Sequence, residues 1–319
     1  MSHMRITTMI VWMGLGSTAA FCTIIAANGE TSPKGDSAPE ARRQDTPVPE
    51  SAHTTDTVVV YASGKMVTLC KDLATEYRKG RPGFSLEVKE ERESSPLYQL
   101  AAGACDLAAM PRIANDAEHQ RVQYKLGAAL VGMPVAMDAV VLFVDSATNP
   151  LESITLGRLR SIFTHQLTKW RELGVPLEEA EIIRNASHPS TGTLGVLRAK
   201  VLGTRQFTTA IQHFDTSRQV VNATAGNDAA LGVGSLGHDL GVRILGIKSD
   251  DESSPVRPTA KTIQNGLYPI SHYLYLYTAG PATGVTRDFV RFALSEDGQR
   301  IVETSEASLV ALPMIAASD

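Results

Sequence analysis

Residues 57–110 read TVVVYASGKMVTLCKDLATEYRKGRPGFSLEVKEERESSPLYQLAAGACDLAAM, and this stretch decides the fold. Thr57 to Tyr61 is a β-branched run of strand type. After Ala62-Ser63-Gly64-Lys65 the pattern changes to Met66, Leu69, Leu73 and Tyr77 at helical spacing, closed by Arg81-Pro82-Gly83. Phe84 to Val88 gives a second strand. Ser95 and Pro96 then have the chemistry of an N-cap and a first helical residue, ahead of Leu97, Leu100 and the stop at Gly103. Ala104 to Met110 is a third strand, short and apolar. Strands alternating with helices predict a mainly parallel sheet with helices on its faces, an α/β fold.

A second informative stretch is residues 182–203, IIRNASHPSTGTLGVLRAKVLG. It predicts a strand at Ile182-Ile183, a polar loop, and a helix carrying Leu194, Leu197 and Val201 that Gly203 ends. Thr191, Gly192 and Thr193 fall at the helix N-terminus, where unpaired N–H groups favour an anion. Arg184, upstream, could add a planar donor fork. An ordinary cap with a solvated arginine is the alternative.

The rest of the chain limits the function. With 319 residues, 43% hydrophobic and 20% charged, it has ample material for a globular core. A net charge of −4 argues against a nucleic-acid partner. Residues 1–27, with Arg5 ahead of the apolar run Met9 to Ala27, read as a secretory signal peptide; an uncleaved membrane anchor is the alternative, because the run is near spanning length. Phe21 is too large for a lipoprotein motif at Cys22. Residues 28–56, rich in Pro, Ser, Thr, Asp and Glu, predict a disordered linker. The remainder is close to neutral, so anion binding there has to come from local geometry. Cys70 and Cys105 lie in apolar-periodic surroundings and read as buried thiols, with a disulfide as the alternative. Neither cysteine nor histidine spacing suggests a metal, and no cofactor is implied. Gly232-Val-Gly234-Ser-Leu-Gly237 has the letters of a dinucleotide fingerprint without its strand–helix setting. Ser235 and His238 lack a nucleophile-elbow pattern, so no enzyme is predicted.

Taken in order, Ser63-Gly64-Lys65, Ser94-Ser95, Gly103 to Arg112, Asp138 to Asp145, Ile154 to Trp170, Thr191-Gly192-Thr193, Tyr268 to Tyr277 and Ser295 to Val302 resemble the PstS-type phosphate-binding proteins of bacterial phosphate ABC transporters. The resemblance spans nearly all of residues 57–313. It implies a two-lobe type II periplasmic-binding-protein fold with a ligand cleft between the lobes. Lobe I would be residues 57–143 plus 270–319, and lobe II residues 144–269. It also implies an exported monomer, periplasmic or tethered to the outer face of the cytoplasmic membrane. Such a protein would bind phosphate or a similar oxyanion and deliver it to ABC permease subunits in the inner membrane, with no chemistry of its own.

Carried over position by position, the resemblance gives Ser63, Lys65, Met66, Ser94, Ser95, Arg184, Thr191, Gly192 and Thr193 as ligand-binding residues. Several depart from the family pattern. Lys65 stands where a threonine is usual; its charge lies either at the anion or in solvent. The family arginine belongs three residues nearer to Thr193, where this chain has Ser187. Pro111 replaces a hydroxyl or carboxylate contact. Glu93 and Asp138 are the nearest carboxylates that could read the proton on phosphate. Because neither has an evident place in the cleft, poor discrimination between phosphate and sulfate is expected. A degenerate domain, its anion site eroded and used for signalling or protein contact, is the competing function.

Overall fold

The structure, a computed structural model, describes residues 57–91, 94–177, 180–187, 192–237 and 241–313. The expected signal and linker, Glu93, Thr191 and His238 lie outside the described residues. Strands in chain order are β1 (Thr57–Ala62), β2 (Ser85–Glu90), β3 (Leu107–Met110), β4 (Leu130–Asp145), β5 (Ser153–Thr155), β6 (Ile183–Ser187), β7 (Ile211–Phe214), β8 (Ala230–Ser235), β9 (Val242–Ile244), β10 (Gly246–Lys248) and β11 (Ser271–Ala279). The helices are α1 (Lys65–Gly80), α2 (Pro96–Ala101), α3 (Asp116–Leu126), α4 (Leu156–Phe163), α5 (Thr193–Leu197), α6 (Ser217–Thr224), α7 (Ala260–Gln264), α8 (Gly284–Leu294) and α9 (Glu296–Thr304).

Val58, Val59 and Val60 of β1 are all buried, although neighbouring side chains in a strand face opposite ways. Both faces of the sheet must therefore be covered. Val58 and Val60 pack with Met66, Leu69 and Leu73 of α1 and Phe289 of α8. Val59 joins Leu97 and Leu100 of α2 and Val122 of α3 on the other side. Ser95 caps α2, its Oγ accepting the Leu97 N–H at 3.4 Å, and Pro96 opens the helix as the sequence predicts. Leu69 is fully buried, so Leu69→Ala should cost about 2–5 kcal/mol through the cavity it leaves. Urea denaturation of the purified protein measures this, and a loss near zero would contradict the packing of α1.

Among the described residues one sheet of nine strands has the order β2-β1-β3-β11-β4-β8-β6-β7, with β9 also on β4. The outer strands of each half are parallel, β1 to β2 and β3, and β6 to β7 and β8. The strands between them differ from the expected parallel arrangement. β4 is 16 residues long; its first part runs antiparallel to β11, and its last part runs antiparallel to β8 and β9. The sheet is therefore mixed, with one long strand shared by both halves. Around the second half, Trp170, Phe163 and Tyr268 are fully buried in a separate cluster. β5 and β10 form a small parallel pair of their own.

Gly232 and Gly234 of the apparent dinucleotide fingerprint sit in β8 itself, and Gly237 lies just beyond it. Gly232 lies opposite Phe143, and a Cβ there would overlap the Phe143 ring, with Gly234 flanking the same ring. They make room for an aromatic side chain. Cys70 and Cys105 are free and buried, and burial pushes both thiols up to about 12.

Candidate functional site

Where β4 and β11 pass between the sheet halves, a cavity of about 30 Å3 is lined by Lys65, Pro111, Asp138, Gly192, Thr193, Ser235 and His272, with Ala139, Val140 and Leu274 as apolar wall. Asp138 and His272 are directly opposite in the β4–β11 ladder. Opposed residues of an antiparallel pair point to the same face, which places a carboxylate and an imidazole side by side. Thr193 opens α5, only 7% exposed. Ser235 ends β8, its Oγ 3.4 Å from Ser217 Oγ at the start of α6.

Gly192 brings the Thr193 segment against the first half. Its φ of 88° is left-handed, and a Cβ would come within 2.8 Å of Pro111 Cγ. Both conformation and space call for glycine at this contact. Beyond it the helix holds one α-turn and then widens into a π-turn at Arg198–Leu202, ending at Gly203 with φ 64°.

Lys65 is not free to meet an anion. Its Nζ lies 3.2 Å and 3.1 Å from the two oxygens of Asp138 and donates to the carbonyls of Leu236 and Ser308 at 3.2 Å each. An ammonium has three protons, and these acceptors occupy all of them. Asp138 Oδ1 also accepts the Ala139 N–H at 2.8 Å. Asp138 is 5% exposed and does enter the cavity, where no place for it was evident from the sequence. His272 Nδ1 is buried with no partner among the described residues. Burial lowers the imidazole pKa; Asp138 works against this, while Lys65 and Lys200 add to it. At neutral pH the cavity thus holds one cancelled ion pair and a neutral imidazole.

Arg184 corrects the expectation. It is 4% exposed, and its guanidinium donates to the carbonyls of Ile162 at 2.8 Å, Ile182 at 2.9 Å and Leu167 at 3.1 Å. It ties the end of α4 to β6 and contributes nothing to the cavity. The three-residue offset explains why: along a strand, residues three apart face opposite sides, so Arg184 cannot replace an arginine at position 187.

The other expected residues form supporting structure. The Ser63 N–H donates to Ala109 O at 3.1 Å. Met66 is a core side chain, and its N–H closes a turn onto Ser63 O at 3.2 Å. Ser94 is exposed, its N–H on Glu91 Oε1 at 3.1 Å. The Ser95 hydroxyl donates to Glu118 at 2.7 Å, and Arg112 holds that carboxylate in a two-pronged contact. Of the nine residues, the cavity gathers Lys65, Gly192 and Thr193; Thr191 lies outside the described residues. His272 and Ser235 are additions that carry no binding signal in the sequence.

Two sheet halves sharing long strands, with a small polar cavity where they meet, define the type II periplasmic-binding-protein fold. The chain belongs to the PBP superfamily: the model described as "PBP superfamily domain" matches residues 47–297. Within that class it is similar to proteins of the PstS type. The "Phosphate-binding protein PstS" of Pseudomonas aeruginosa is 24% identical over 255 residues, 75% of this chain and 79% of the relative. The protein of the same name from Bacillus subtilis is 25% identical over 252 residues, 78% and 79% of the two chains. In fold, the chain matches an ABC-type phosphate transport receptor from Vibrio cholerae with a TM-score of 0.67 at 20% identity, over 80% of this chain and all of that one. It matches PstS from Borrelia burgdorferi with a TM-score of 0.60 at 20% identity, over 81% and 100%. Among the described residues no helix is long and apolar enough to cross a membrane, and no cluster of three metal-ligating side chains occurs.

Proposed function

We propose that the protein is an exported solute-binding protein that captures phosphate, or a closely related tetrahedral oxyanion, and presents it to an ABC permease without altering it. The two sheet halves act as the lobes, residues 57–143 with 270–319 and residues 144–269, and the ligand lies between them. The carrying observation is the cavity: about 30 Å3, and lined by hydroxyl and imidazole groups from both halves. It is an order of magnitude smaller than the roughly 300–1,000 Å3 of pockets for drug-sized ligands. A cavity of this size suits a compact ion better than a sugar, peptide or nucleotide. The relatives' names agree with this size. Thr193, Ser235 and His272 are the ligand donors in this scheme, with Lys65 holding Asp138 beside them.

Asp138 also changes the expected selectivity. An ionised carboxylate only accepts hydrogen bonds, so it favours a protonated oxyanion over a fully ionised one. Phosphate should therefore outcompete sulfate. Competition calorimetry on phosphate-depleted protein tests this, and Thr193→Val should weaken phosphate by about 1–3 kcal/mol. Equal competition by sulfate would remove Asp138 from the recognition. The eroded-domain function draws support from the cancelled Lys65–Asp138 charge and the diverted Arg184. Failure of both anions to bind would favour it.

A further inference from the structure

A small anion entering this cavity meets a charge problem. Lys65 is neutralised by Asp138, and its donors are engaged. Arg184, the other cation suggested by the sequence, is directed to three carbonyls elsewhere. The anion would also approach the carboxylate of Asp138. Burying an uncompensated charge is costly enough that a nearby group normally changes protonation instead. Among the described residues, one titratable lining group stands outside the Lys65–Asp138 ion pair: His272, whose Nδ1 is buried, lines the cavity and has no hydrogen-bond partner there.

We propose that His272 supplies the missing positive charge by taking up a proton from solvent as the anion binds, and that the resulting imidazolium donates to the ligand. This rests on the oxyanion-binding function proposed above. The groups facing His272 are Asp138 from β4, Lys65 from α1, Lys200 from the turn after α5, Thr193 from α5 and Ser235 from β8. In the empty cavity, burial and the two lysines outweigh Asp138 and keep the ring neutral. A bound anion adds a second negative neighbour and reverses the balance. The proton belongs to the complex, so affinity should fall as pH rises above neutrality, by about tenfold per pH unit for one linked proton.

The test is calorimetry of inorganic phosphate binding to the phosphate-depleted full chain, on the alkaline side of neutrality, in two buffers of different ionisation enthalpy. The heat difference counts protons taken up. Native protein and His272→Asn are compared, since asparagine keeps a donor near the Nδ1 position but does not titrate; protons carried by phosphate itself cancel in the difference. The expected result is about one more proton per anion for the native chain, and a flatter pH profile for the variant. In parallel, the His272 ring resonance of the native protein, assigned through its correlations with the neighbouring backbone of Ser271 and Tyr273, should move to its charged position on saturation with phosphate. That readout stands even if the variant folds poorly. Equal proton uptake with an unmoved ring would overturn the role of His272 while leaving oxyanion binding intact. No phosphate binding by the native chain at any pH would overturn both.

Discussion

Lys65→Met should be among the most damaging single substitutions in the protein, approaching the roughly 3–5 kcal/mol that follows removal of one partner from a buried ion pair. Asp138, 5% exposed, would keep the Ala139 N–H as its one close donor among the described residues. The carbonyls of Leu236 and Ser308 would lose their donor in the same step. Lys65 retains about a fifth of its side-chain surface in solvent, which lets water relieve part of the loss. The double variant Lys65→Met, Asp138→Asn should recover much of the stability, because the unpaired charge has gone. Guanidinium denaturation of the three proteins provides the comparison. A single variant as stable as the native chain would mean that the lysine is held in water after all. The same three bonds reach from α1 to the end of β8 and to the C-terminal segment, so the single variant should also loosen the closed cleft.

The second large effect is at Arg184. Arg184→Met should leave three buried carbonyls without their charged donor, each costing on the order of 1–3 kcal/mol unless water reaches it. The fraction that folds should bind phosphate as the native protein does. Lysine would not restore the loss, since one ammonium cannot reproduce the planar fork across three acceptors. Denaturation and calorimetry on the same preparation separate the outcomes. A stable variant with abolished anion binding would return Arg184 to the cleft.

These two residues show where sequence reasoning succeeds and where it stops. The succession β1, α1, β2, α2, β3 is legible because each element carries its own period, and Ser95-Pro96 marks a helix start without reference to anything distant. The length of β4 is less legible, because after Leu130 its first residues alternate between half-buried and exposed before a continuously buried run begins at Val135. The site is written mostly in long-range register. Lys65 finds its acceptors 73, 171 and 243 residues away. Asp138 and His272 meet only because β11 pairs with β4 in one alignment. Arg184 looked like a displaced family arginine by spacing, yet the two-residue period of its strand turns that displacement into a change of face. His272 carried no signal at all: a single histidine between Ser271 and Tyr273 matches no spacing rule.

The long pairings also govern the order of assembly. β11 lies between β3 and β4, and the Tyr277 hydroxyl receives the Ala114 N–H across 163 residues of chain. The strands β4, β6, β7, β8 and β9 all precede residue 245, so the second half of the sheet has its members before β11 exists. The first half does not: β3 and the leading part of β4 keep open edges until residues 271–279 arrive between them. Open edges are templates for wrong partners. A chain that reaches its destination unfolded would depend on this late strand to seal the sheet, and the same strand carries His272 into the cavity as it closes.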